Sequence, residues 1–82
     1  MTAKEAVKLA KKKAVEPYTE VLSVSETVEY YIVEFTDKGH TELTGDENTL
    51  FAVTKKTGDV WSMYLPDKRN FEILRRAKEV RI

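Results

Sequence analysis

Cysteine is absent from this chain, which excludes disulfides, thiolate chemistry and cysteine-based zinc sites. Histidine occurs once, at His40. Nucleophilic catalysis needs a nucleophile, a base within reach and an orienting group. Ser23, Ser25 and Ser62 all stand outside a G-x-S-x-G setting. The three glycines, Gly39, Gly45 and Gly58, are isolated, so no glycine-rich loop can cradle a phosphate. Asp37, Glu42, Asp46, Glu47 and Asn48 lack the spacing of a calcium-binding loop. No apolar run approaches the roughly 20 residues that span a bilayer. Residues 1–16 have neither the apolar stretch nor the cleavage site of a signal peptide. These absences lead us to expect a cytoplasmic protein that is not an enzyme, takes no cofactor or metal and does not enter the membrane.

What is present fits one small domain over residues 1–82, with 41% apolar and 34% charged residues. A chain of this size buries only about 60–65% of its unfolded surface. Acids and bases balance at 14 each, but they are not mixed. Residues 1–16 hold five lysines and two glutamates, a net of +3. Residues 17–54 hold eight acids and only Lys38, a net of −7. Residues 55–82 hold eight bases and four acids, a net of +4. Such blocks bear on partners rather than on fold.

The hydrophobic period gives the element order. Thr2 and Glu5 form a capping-box pattern ahead of Ala3, Ala6, Val7, Ala10 and Ala14, which recur at helical spacing until Pro17. Alternation then predicts a strand over Tyr18–Val24, a turn at Ser25–Thr27 and a strand over Val28–Phe35. A turn at Asp37–Gly39 follows, with a strand extension through Thr41–Thr44. Thr49–Lys55 and Val60–Leu65 make a hairpin about the Lys56–Asp59 turn. Asp67 is the expected N-cap of a second helix, with Phe71, Leu74 and Ala77 on one face and Ile73 and Val80 beside them. Glu72 and Arg76 are spaced for an i,i+4 ion pair. The expected fold is α+β: an N-terminal helix, a three- or four-stranded antiparallel meander and a C-terminal helix, in two layers.

Strand parity groups Tyr31, Val33 and Phe35 with Phe51, Val53, Trp61, Met63 and Leu65 as the core face. The other parity carries Val28, Tyr30, Ile32 and Glu34, then Leu50, Ala52, Val60, Ser62 and Tyr64. A solvated face should read polar. This one does not, so either a helix covers it or it is an exposed apolar patch that binds something.

Two segments carry a resemblance. Glu5-Ala6-Val7-Lys8-Leu9-Ala10 has the form E-A-V-x-x-A, and Val53-Thr54-Lys55-Lys56-Thr57-Gly58-Asp59-Val60 has the form V-x-K-x-T-G-x-V. With the Tyr30–Phe35 strand and the Thr44-Gly45-Asp46-Glu47 segment between them, they resemble the small YrhB-like immunity proteins of bacterial toxin systems. Asn48-Thr49-Leu50-Phe51 stands where that family has a Gly-x-x-Pro segment. The same helix and hairpin also resemble the PepSY domain, a module linked to peptidase inhibition. Either resemblance implies a helix packed on an antiparallel sheet, and neither carries a catalytic residue over to this chain.

The expected function is therefore a binding module of the immunity or inhibitor kind that occludes a protein partner, such as a basic toxin or effector. Its expected contact surface is the acidic, aromatic sheet face: Glu29, Tyr30, Ile32, Glu34, Asp37, Glu42, Asp46, Glu47 and Tyr64. Acids steer the encounter and aromatic residues anchor it. The alternatives are a nucleic-acid-binding module using Lys11, Lys12, Lys13, Arg75, Arg76, Lys78 and Arg81, and a homodimer formed through the apolar sheet face.

Overall fold

A computed structural model of the chain describes residues 1–36, 49–63 and 67–81. Helix α1 covers Ala3–Lys11, strands β1 to β4 cover Glu20–Glu26, Tyr30–Thr36, Leu50–Thr54 and Val60–Ser62, helix α2 covers Lys68–Arg76, and β5 covers Lys78–Val80. The class is α+β, as expected. The sheet has five strands in the order β4-β3-β2-β1-β5, all antiparallel. The expected turn at Asp37–Gly39, the extension through Thr41–Thr44 and the placement of His40, Gly45, Leu65 and Pro66 lie outside the described residues.

Helix α1 starts where its sequence says. The Thr2 hydroxyl accepts from the Glu5 amide at 3.2 Å, and the Glu5 carboxylate accepts from the Thr2 amide at 3.3 Å. This reciprocal pair satisfies two donors that have no partner inside the helix. The helix ends at Lys11, ahead of Pro17, because Lys13 donates to the Ala10 carbonyl and tightens the chain into a turn. Ala6 and Ala10 are fully buried. Their lack of bulk lets the helix backbone approach the sheet closely.

The two faces of the sheet carry separate apolar clusters. On the α1 side, Val24, Tyr31, Val33, Phe35, Phe51 and Val53 pack beneath Ala6 and Ala10. Phe35 meets Phe51 edge-on at 5.8 Å between ring centres. On the other side, Ile32, Leu50, Ala52 and Met63 pack against Ile73, Leu74 and Ala77 at α2 and its C-terminal end. The sheet therefore lies between the helices rather than under one helical layer. The second face is covered, so the apolar surface expected for a homodimer is occupied by the chain's own α2.

Connectivity explains why. The chain leaves β4 at one edge of the sheet and re-enters as β5 at the opposite edge. A five-stranded sheet is about 19 Å wide, from strand spacings near 4.8 Å. The segment between β4 and β5 must cross one face, and α2 is the helical part of that crossing.

Several expectations are corrected. Trp61 and Met63 lie on the α2 side, with Ile32 and Ala52, and Val60 takes the α1 side. Val53 pairs with Val60 and Ala52 with Trp61, so an even number of residues intervenes and the odd–even sense flips across the turn. Gly58 makes that turn at φ +78°, a left-handed conformation that side chains disfavour. Val80 belongs to β5 and packs on the α1 side, because the helix stops at Arg76 and Ala77 turns extended. Phe71 points outward, at 59% exposed. Arg75, not Arg76, pairs with Glu72, at 3.2 Å. Val28 falls in the β1–β2 turn rather than in β2. Asp67 does cap α2, accepting from the Arg69 amide at 2.9 Å.

Phe35→Ala should cost roughly 3–5 kcal/mol, as deletions of a buried phenyl ring do. Phe71→Ala should stay within about 0.5 kcal/mol. Urea unfolding of the two variants checks this, and equal losses would contradict the burial assigned to each ring.

Candidate functional site

The turn from β1 to β2 is held by one threonine. The Thr27 amide donates to the Tyr30 carbonyl at 2.8 Å. The Thr27 hydroxyl accepts from the Glu29 amide at 3.2 Å and from the Tyr30 amide at 3.0 Å. This side chain thus serves turn donors that would otherwise face only water. Just past the end of β3, the Lys55 amide donates to the Glu29 carbonyl at 2.9 Å and fixes the far side of the turn. The restrained turn displays Val28, whose side chain and backbone are 94% exposed. An apolar residue held so far out gains nothing from the protein's own core.

Two open grooves flank this tip. The first, about 490 Å³, lies between residues 27–30 and the face of α2 that carries Arg69, Glu72, Ile73 and Arg76. Those four follow the i, i+3, i+4, i+7 spacing of one helix face. The second, about 350 Å³, lies on the other side of the tip and is bordered by Glu26, Lys55 and Lys78. Val28 and Arg76 border both.

The charges here are not equally committed. Lys55 pairs with Glu26 at 2.8 Å and sits 4.6 Å from the centre of the Tyr31 ring, a cation–π contact. Arg75 pairs with Glu72. Arg69, Arg76 and Lys78 make no ion pair among the described residues, and neither does Glu29. Among the described residues, the tip therefore holds cations without an ion pair beside one acid without one.

The residues expected from the sequence are dispersed. Glu29 is exposed and Tyr30 half-buried, and both line the first groove, with Tyr30 edge-on to Trp61 at 5.1 Å. Ile32 is 2% exposed beneath α2, a core side chain and not part of an open surface. One Glu34 carboxylate oxygen accepts from the Ser23 hydroxyl at 2.9 Å, and the other is buried without a partner among the described residues. Asp37, Glu42, Asp46, Glu47 and Tyr64 lie outside the described residues. Among the basic candidates, Arg75, Arg76, Lys78 and Arg81 are exposed at the end of α2 and on and after β5. Lys11, Lys12 and Lys13 end α1 on the opposite face of the sheet, so the two basic clusters do not join into one surface.

Arg69, Lys55 and the exposed Val28 were not among the expected site residues. A valine before a strand reads as strand. Only the hydroxyl one residue earlier, with a glutamate after it, signals a side-chain-capped turn. Among the described residues, no group of three histidine, aspartate or glutamate side chains is placed to hold a metal. No helix among them is long and apolar enough to cross a membrane.

Thr27→Ala should lower stability by about 1 kcal/mol through loss of its two accepted hydrogen bonds. Thr27→Ser should retain most of it. Amide exchange at Glu29 and Tyr30 is the direct readout, and unchanged protection in the alanine variant would contradict the clamp.

Comparison with family models, with characterised proteins and with solved structures found no match for this chain.

Proposed function

We propose that this protein is a small, non-enzymatic binding module that occludes a protein partner, an immunity protein or inhibitor of bacterial cytoplasm, with the β1–β2 tip as its point of contact. The observation that carries the reading is Val28, held 94% exposed by a hydrogen-bonded turn and flanked by two open grooves. A contact residue displayed this way needs little ordering on binding, and small ordering costs favour affinity. Surrounding polar side chains can exclude water around a central apolar anchor. The motifs that resemble the immunity proteins occupy α1 and the β3–β4 hairpin, whose Lys55 braces the far side of the tip. Of the expected acidic contacts that are described, only Glu29 stands at the tip, among Arg69, Arg76 and Lys78, so the tip itself does not favour the basic toxin expected from the sequence.

Val28→Asp tests the proposal, because it places a charge at the anchor without touching either apolar cluster. The wild-type chain should capture a discrete protein from extracts of its source cells. Val28→Asp should melt at the same temperature and lose that protein at least about tenfold, the equivalent of 1.4 kcal/mol. Equal capture by both, or none by either, would overturn the assignment.

A further inference from the structure

The first groove has a composition that selects among partners. Its α2 wall presents Arg69 and Arg76, seven residues apart on one helix face, or about 10 Å along the axis at 1.5 Å per residue. Ile73 lies between them, and Val28 stands across the groove. Glu72 in the same wall is already committed to Arg75, which leaves, among the described residues, two guanidinium groups without an ion pair against Glu29. Lys78 adds a third cation without an ion pair among the described residues, on the far side of the tip.

Resting on the binding-module reading above, we propose that this groove takes an acidic segment of the partner protein, with an apolar side chain between two carboxylates. Each guanidinium offers the planar fork that a carboxylate fills with two parallel hydrogen bonds. The apolar side chain enters between Val28 and Ile73, where it removes the most exposed apolar surface of the tip from water. Glu29 sets the register, since a carboxylate placed beside it is repelled.

The same chemistry disfavours a nucleic acid. A phosphate backbone carries charge at every step and would place a phosphate beside Glu29. The apolar gap between the arginines also has no counterpart in a phosphate chain. A peptide with spaced carboxylates fits both features.

The test is a titration of the isotope-labelled full-length chain, followed through its backbone amide resonances. The probe is a capped five-residue peptide, Glu-Glu-Leu-Glu-Glu, with Gln-Gln-Leu-Gln-Gln and an eight-nucleotide oligothymidine as the other arms. The acidic peptide should shift amides at 27–30 and along 69–76, with a Kd on the order of 1 mM. The Kd should rise at least about tenfold in Arg69→Gln/Arg76→Gln, a change of 1.4 kcal/mol from a substitution that removes both charges while keeping polar side chains. Equal shifts from the glutamine peptide, shifts unaffected by the double substitution, no shifts at all, or tighter binding of the oligonucleotide to these residues would each overturn the proposal. Capture of a cellular protein that depends on Val28 but not on Arg69 and Arg76 would overturn this inference alone and leave the binding-module reading standing.

Discussion

The central strands bury both of their faces, and the rest of the structure depends on that constraint. In β3, Leu50, Phe51, Ala52 and Val53 are all 5% exposed or less, and in β2 Tyr31, Ile32 and Val33 are 8% or less. Strand alternation sends consecutive residues to opposite sides. A sheet with such strands at its centre needs apolar cover twice, and one helix can supply it only once. The alanine stripe of α1 provides one cover and Ile73, Leu74 and Ala77 provide the other. β4 and β5, at the two edges, are three residues each, short enough to limit pairing with other chains.

The second cover also positions the candidate site. Because α2 must cross the α2 side on its way from β4 to β5, one of its faces comes to lie beside the β1–β2 turn. The residues of that helix that turn inward, Ile73 and Leu74, are half-buried, while Arg69 and Arg76 reach toward the turn. The groove is thus a by-product of covering the sheet. The charge pattern changes meaning accordingly. The blocks of charge that are separate along the sequence do not stay separate in the fold of its basic third segment. It threads its arginines among Glu29 and Glu72, so the two signs interleave on one surface.

What the sequence made legible was local. The Thr2–Glu5 box, the Asp67 cap and the Gly58 turn each depend on residues within a few positions, and all three form. What escaped depends on pairing between distant segments. The side that Trp61 takes follows from the number of residues in the turn that pairs Val53 with Val60, and hydrophobic alternation alone does not report it. β5 exists because Val24 finds Val80 across more than half the chain, while three residues reading Lys-Glu-Val carry no strand pattern of their own. Of the expected contact residues, Glu29 and Tyr30 do sit in the candidate groove, whereas Ile32 could be separated from them only once its cover was known. Of the site residues that α2 contributes, Arg76 was among the basic candidates, whereas Arg69 became visible only through the crossing of the sheet.

The most direct test of this arrangement is a methyl–methyl NOE experiment on the protein in solution. With α2 on the face opposite α1, Ile73 and Leu74 methyls should show contacts with Ile32, Leu50 and Ala52, and none with Ala6 or Ala10. Contacts from Ile73 or Leu74 to the α1 side, or none to Ile32 and Ala52, would contradict a sheet covered on both faces and remove the wall on which the groove depends.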